Sequence, residues 1–248
     1  MTGRLTQIYR HPIKAHGREA LASVVLSAGA CLPWDRRWAV AHEAAQILPG
    51  WNACNNFLRG VKAPQLMAME ARIDEENQRV HLQHPMIGAL SVNPDDDGDA
   101  ALLIDWLRPL IPENRAQPAK LVRFDGGLTD SDYPTVSILN LASLTDLSAR
   151  MGMDLSVHRF RGNLWLEDAA PWAEFDWIGK PLAIGGAVLE VTERITRCRA
   201  TCVNPATGQV EGETLAALTA AFGHTDFGIF AKVIQGGSLA LGDEWSVI

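Results

Sequence analysis

PLAIGGAVLEVTERI, Pro181–Ile195, decides how the chain is read. Its Val, Leu and Ile come in short apolar or alternating runs with glycine between them, a pattern that suits β-strands. The same pattern recurs in RLTQIYR, ASVVLSAG, RRWAVAH, PQLMAMEARI, RVHLQHP, LVRF, TVSIL, GNLWLE, FAKVIQGG and DEWSVI, with Gly, Pro, Asn and Asp in between. The fold class is therefore mainly β with a few short helices. LMAMEARI and RVHLQ, separated by DEENQ, read as a hairpin. Helical periodicity is confined to three places: Asp99–Leu107 with Asp99 as cap, Asn140–Arg150 with Gly152 as stop, and Glu213–Phe222 with Gly223 as stop.

A chain of 248 residues with 47% hydrophobic content can bury one large core or two smaller ones. The segment RPLIPENRAQPAK, Arg108–Lys120, has three prolines and little periodicity, so a boundary near residue 115 divides the chain into 1–115 and 116–248. NPDDDGD, Asn93–Asp99, reads as a solvated turn. A net charge of −7 disfavours non-specific nucleic-acid binding. No apolar run is long enough to cross a bilayer, and the first residues lack a signal-peptide core, so the expectation is a cytoplasmic protein without a membrane span. Four irregularly spaced cysteines are expected to be reduced.

Two of them stand in TRCRATCVNPATG, Thr196–Gly208. Read as an extended strand over Val188–Val203, this stretch separates Cys198 from Cys202 by about 13 Å, too far for a disulfide or one shared zinc ion. Neighbouring Arg197 and Arg199 would lower a thiol's pKa, but on a strand they face away from it. On the residues alone, a buried structural cysteine outweighs a reactive one.

Several motifs, in order, resemble those of MOSC domains, the C-terminal modules of molybdenum-cofactor sulfurases and the body of amidoxime-reducing components. They are IYRHPIKAHG (Ile8–Gly17), WDRRWAV (Trp34–Val40), LTDSDYPTVSILNLASLTDL (Leu128–Leu147), HRFRGNLWLE (His158–Glu167), RCRATCVNPATG (Arg197–Gly208) and DFGIFAKVIQGGSLALGDEWSV (Asp226–Val247). The resemblance spans essentially the whole chain. It implies an N-terminal β-barrel-like domain over 1–115 followed by a MOSC β-barrel domain over 116–248. It implies a molybdenum cofactor, with Cys198 as the protein's thiolate ligand to molybdenum, a soft donor beside the cofactor's dithiolene sulfurs. Lys14, Arg36 and Arg161 fall on cofactor-binding positions for the phosphate and polar ring edges. Asn163 and Asp130 fall on positions lining the same pocket, with Asp130 cast as the group that orients a proton near the metal.

Plainer readings stand beside these. Lys14 and Arg36 are also readable as surface charges, Arg161 as a buried ion-pair partner, Asp130 as a turn residue of TDSDYP, and Asn163 as a bonding partner of backbone groups. His11 and His16 lack partners for a zinc site or a triad, and read as surface or hydrogen-bonding residues. The resemblance implies reduction of N-oxygenated small molecules such as hydroxylamines or amidoximes, by oxygen removal at molybdenum. The chain has no iron–sulfur cysteine set and no flavin or nicotinamide fingerprint, so a separate iron–sulfur or flavin electron donor is expected. The alternatives are a sulfur-carrier module working with a pyridoxal-phosphate-dependent cysteine desulfurase, and a non-catalytic cofactor-binding domain. Ala15, Gly162, Cys202 and Asn204 depart from the family's usual Ser, Pro, Thr and Asp.

Overall fold

The computed structural model describes residues 1–248. Its regular elements are β1 (Thr2–Arg10), β2 (Glu19–Leu21), β3 (Ser23–Leu26), β4 (Trp38–His42), β5 (Glu70–Asp74), β6 (Arg79–His84), β7 (Gly88–Val92), α1 (Asp97–Leu107) and β8 (Pro118–Arg123). There follow β9 (Val136–Asn140), α2 (Leu141–Met151), β10 (Leu164–Leu166), β11 (Pro181–Ile184), β12 (Ala187–Thr196), β13 (Val203–Asn204), β14 (Gln209–Val210), α3 (Thr214–Phe222), β15 (Asp226–Gln235), β16 (Gly237–Ala240) and β17 (Glu244–Val247). The protein is mainly β with three short helices, and none of these is long and apolar enough to cross a membrane.

The alternation in the sequence becomes the pleat. In β12 the residues Ala187, Leu189, Val191 and Ile195 are buried while Glu190, Glu193 and Arg194 are exposed, as a strand with one face on a core requires. Seven strands run β10–β9–β15–β12–β11–β17–β1, and β1 pairs back onto β10, closing a barrel. Closure leaves no free edge among these seven strands. The interior is filled by residues such as Leu5, Ile138, Leu166, Leu189, Ile229 and Trp245. Register shifts in the β12–β15 ladder mark bulges between Val188/Leu189, Val191/Glu193 and Arg194/Thr196. Bulges sharpen the local twist and bend, here next to the point where the chain leaves the barrel at Thr196.

A second core lies under β4, the β5–β6–β7 meander and α1, with Trp38, Val40, Leu66, Ile73, Val80 and Leu103 packed together. The β5–β6 hairpin has the expected partners, Ala71 facing Leu82 and Asp74 facing Arg79. Sheet membership crosses residue 115 in both directions: β1 and β2 belong with the barrel, whereas β8 pairs with β4.

One local expectation changes. The cap of α1 is Asp96, whose carboxylate accepts the Asp99 N–H, so the helix starts two residues earlier than Asp99. NPDDDGD is an exposed turn, as expected, that also forms the helix entry: Asp99 accepts the Asn93 N–H, and Asp95 accepts from Trp38 Nε1 at 2.8 Å and pairs with Arg123 at 2.7 Å. The other helices follow their signals. Asn140 caps α2 by accepting the Ala142 N–H, and Gly152 and Gly223 end α2 and α3 at φ of 62° and 74°, which glycine adopts without a Cβ penalty.

Candidate functional site

The extended reading of Val188–Val203 ends at Thr196. Beyond it the chain turns: Arg197 N–H donates to Thr225 O, and residues Arg199–Cys202 form a 3-10 turn with Cys198 at its start. Thr201 closes the turn through its N–H and hydroxyl, both donated to the Cys198 carbonyl. A 3-10 rise of about 2 Å per residue shortens the expected thiol separation, so distance is no longer what separates the two. Environment does. Cys198 is exposed, whereas Cys202 is fully buried with Sγ 3.3 Å from the Thr214 hydroxyl at the start of α3. All four cysteines are free, and no group of three or more His, Cys, Asp or Glu converges to hold a metal by protein ligands alone.

The two flanking arginines also part ways. Arg199 is exposed and pairs with Glu213 at 3.2 Å. Arg197 turns inward, donating from Nε to Phe227 O (2.7 Å) and from Nη1 to Phe160 O (2.9 Å), with Phe160 and Phe227 stacked beneath its guanidinium.

Lys14 sits in a tight turn fixed by the His16 N–H to Ile13 O bond, with Ala15 and Gly17 both at φ of 65°. Its ammonium is buried and donates to Leu128 O at 3.1 Å and to Asp130 Oδ1 at 2.6 Å. Arg36 is half-buried, bonded to the fully enclosed carboxylate of Asp35. Its Nη2 donates to Arg161 O at 3.0 Å, and Arg161 in turn donates from Nη1 to Gly17 O at 3.0 Å. Arg36 and Arg161 both hold positive φ, 52° and 47°, a conformation that non-glycine residues adopt only where the surroundings impose it. The surroundings here are this interlocked set of guanidinium–carbonyl bonds. Lys14 and Arg36 are thus not surface charges, and Arg161 has no carboxylate within ion-pair distance.

Two buried donors in this cluster have no partner, Arg161 Nη2 and Arg197 Nη2. Burial pushes the Arg161 guanidinium down to about 9, and the nearby Arg36 pushes the same way. Arg197 is likewise pushed down to about 9 by burial, against the opposing pull of Asp130 and Cys198. Surrounding protein tends to raise the Asp130 pKa, but Lys14, Arg36 and Arg197 outweigh it and hold the carboxyl below its ordinary value. That carboxylate keeps 63% of its side chain open, so it faces solvent from within a ring of cations. Four cations, Lys14, Arg36, Arg161 and Arg197, stand against two carboxylates, Asp35 and Asp130. The arrangement has room for an anion's charge and donors left over to bind it.

The structure brings Lys14, Arg36, Arg161, Asp130 and Cys198 into one neighbourhood. Asn163 does not present a free group to it. Its Oδ1 accepts from Ser137 N–H and Oγ, and its Nδ2 donates to Tyr9 O, which fastens β1 and β9 at the start of β10. Neither His11 nor His16 is at the surface. Two members were given no site role by the motif reading, Arg197 and Asp35, and the signal for each was adjacency, to Cys198 and Arg36; His16 is a hydrogen-bonding residue, its Nδ1 donating to Lys14 O. A cavity of about 350 Å³ adjoins the Asp130 loop, lined by Trp51 and residues 123–129 and 131–134. A larger one of about 510 Å³ lies on the exposed face of β5–β6–β7, lined by Arg72, His81 and Gln83 among others, and holds none of these groups.

Comparison with known proteins matches a MOSC N-terminal beta barrel domain over residues 2–105 and a MOSC domain over residues 125–246. The molybdenum cofactor sulfurase of Anopheles gambiae is 28% identical over 158 residues, covering 59% of this chain and 19% of that protein. Mitochondrial amidoxime-reducing component 1 of Danio rerio is 23% identical over 241 residues, covering 83% of this chain and 70% of that protein. This chain therefore spans about a fifth of the length of the sulfurase it matches. The YUAD protein from Bacillus subtilis aligns with the entire chain at 12% identity and a TM-score of 0.48. With the two domain matches running in order along nearly all its length, the chain belongs to the MOSC-domain proteins, an N-terminal beta barrel domain of that family joined to a MOSC domain.

Proposed function

We propose that this protein binds the molybdenum cofactor and reduces N-oxygenated compounds. The observation that carries the reading is the pairing of an exposed, unbonded thiol, Cys198, with an adjacent buried cluster whose Arg161 and Arg197 each keep one donor without a partner. An anionic pterin phosphate fits such donors, and a soft thiolate fits a metal already held by dithiolene sulfur. Lys14, Arg36, Arg161 and Arg197 would hold the anion, and Cys198 would ligate the metal. When bound, the cofactor supplies two-electron chemistry, by which a hydroxylamine plus two electrons and two protons gives an amine and water. Asp130, kept ionised by Lys14, is placed to orient a proton at its Oδ2 while Oδ1 remains bonded to the ammonium. Asn163 serves the site indirectly, by fixing the segment between Arg161 and the start of β10. Electrons come from a separate iron–sulfur or flavin protein.

The exposure of Cys198 also favours a second reading, in which the thiol accepts sulfur from a pyridoxal-phosphate-dependent cysteine desulfurase. The experiment is metal and pterin analysis of protein made in a cofactor-competent host, followed by turnover with a reconstituted donor. The expected result is co-purifying molybdenum and pterin, with Cys198→Ala reducing hydroxylamine turnover to background. Protein free of both molybdenum and pterin overturns the proposal, and persulfide accumulating on Cys198 after incubation with a desulfurase selects the second reading.

A further inference from the structure

The turn that carries Cys198 is held mostly from outside itself. Val203 N–H donates to Ala200 O, and Glu211 N–H donates to Cys202 O at 2.7 Å. The buried Arg159 guanidinium donates from Nη1 to Thr201 O at 3.3 Å and to Glu211 O at 2.7 Å. The Cys198 carbonyl takes two donors, the N–H and the hydroxyl of Thr201, at 3.2 and 3.1 Å. Behind that hydroxyl stand two more hydrogen-bonding side chains. Thr201 Oγ1 lies 2.6 Å from Thr214 Oγ1, which lies 3.3 Å from Cys202 Sγ. Thr201, Cys202 and Thr214 are all buried, so each depends on the others for its partners.

Each hydroxyl has one hydrogen, and this fixes the direction of every bond. A carbonyl only accepts, so the Thr201 hydrogen goes to Cys198 O. Thr201 Oγ1 is then the acceptor toward Thr214, and the Thr214 hydroxyl is the donor. Thr214 is left with only lone pairs to offer Cys202, so the Cys202 S–H donates to it. The series runs from Cys202 through Thr214 and Thr201 to the Cys198 carbonyl, and each donor polarises the next. It demands a hydrogen at position 202. The family's usual Thr has one on oxygen, and Cys202 has one on sulfur, a weaker donor.

We propose that Cys202 is a positioning residue, whose S–H acts through Thr214 and Thr201 to hold the turn that presents the exposed Cys198 thiol. The role rests on Cys198 being the working thiol of the proposed reductase; the hydrogen-bond series does not. Val and Thr share a shape and differ by the hydroxyl, so Cys202→Val set against Cys202→Thr separates the donor from the packing. In cofactor-free protein, hydrogen exchange at the Thr201 and Val203 amides should be about fivefold faster or more in Cys202→Val, as for one lost buried hydrogen bond, and unchanged in Cys202→Thr. Amides of β9 and β15 should stay as they were in both. Thr214→Val should reproduce the faster exchange, and adding Cys202→Val to it should bring no further change, because both act through one series. In cofactor-loaded protein, Cys202→Val should lower kcat for hydroxylamine by about tenfold or more with KM within about twofold, as loss of a group that orients a metal ligand does, while Cys202→Thr keeps it.

Equal exchange in Cys202→Val and Cys202→Thr, additive effects of Cys202→Val and Thr214→Val, faster exchange spread through β9 and β15, or an unchanged kcat in Cys202→Val overturns the inference. Exchange that responds as expected in protein that takes up neither molybdenum nor pterin leaves the hydrogen-bond series standing and removes the reductase reading. Loss of turnover in Cys198→Ala, with exchange and kcat both indifferent to Cys202→Val, removes the role of Cys202 and leaves the reductase reading.

Discussion

The His16 ring is fully enclosed and donates from Nδ1 to the carbonyl of Lys14 at 2.6 Å, which leaves Nε2 as a bare acceptor without a partner. Burial, reinforced by Arg161, pushes its pKa down to about 4. The unfolded chain takes up that proton near 6.5, so between about 6.5 and 4 the unfolded state binds more protons than the folded one and stability falls with pH. The size of the effect for this ring is about 3 kcal/mol by pH 4. His11, pushed to about 3 by burial, and His158, pushed to about 4 by burial, act in the same direction. The depressed carboxyls of Asp35 and Asp130 extend the loss below their ordinary range rather than within this window. Urea midpoints measured from pH 7.5 to pH 4.5 should therefore drop, and should drop less in His16→Asn. Parallel pH profiles for the two proteins would contradict this. At the same scale, Arg197 was legible only as a neighbour of Cys198, because its bonds to Phe160 O and Phe227 O join residues 37 and 30 positions away. Asn163, which the resemblance puts on the pocket wall, follows its plainer reading as a bonding partner of backbone groups: its Oδ1 accepts from the Ser137 N–H and its Nδ2 donates to Tyr9 O.

At the scale of elements, α2 is held from outside its own sequence. Asn140 caps it and also donates from Nδ2 to Ala170 O (2.8 Å) and to Glu174 Oε2 (2.9 Å), a carboxyl with no exposure, to which Ser143 Oγ also donates. Asn140→Ala removes a cap worth about 1 kcal/mol and takes a donor from a buried acid, a further cost of about 1–3 kcal/mol. Chemical denaturation should show a loss of about 2–4 kcal/mol, and a change under 1 kcal/mol would mean that Glu174 finds another donor. The glycine that replaces the family's usual Pro at 162 has a packing reason: a Cβ there would lie 2.1 Å from Leu139 Cδ1 and 3.0 Å from its Cγ, and Leu139 is fully buried. The helix stops and the β5–β6 hairpin were legible because glycine at positive φ and period-two alternation are local signals. The turn at 197–202 was not. Its Thr and Val density continues that of β12, and what bends the chain is a set of bonds to β15 and to the loop before β10.

For the whole molecule, the order of domains along the chain is not the order of strands in the barrel. Mainly β architecture followed from run length and alternation, whereas barrel closure did not, since no local pattern says that the first strand lies between the last strand and β10. A fragment covering 116–248 lacks that strand and exposes two sheet edges, a template for aggregation. Expressed alone, it should be aggregated or molten by size-exclusion chromatography and near-ultraviolet circular dichroism. Co-expression with a fragment covering 1–115 should recover a soluble complex. A monomeric 116–248 fragment that unfolds cooperatively would contradict the shared-strand account.

Thr2 lies opposite Ser246, and Leu5 opposite Leu166. Of the three strands that β1 pairs with, only β2 follows it closely in the chain; its barrel partners β10 and β17 are synthesised much later. Contacts of such sequence separation are slow to form. Until β10 and β17 have been made, Leu5 and Ile8 have no barrel interior to enter, so the core they belong to is settled late in synthesis.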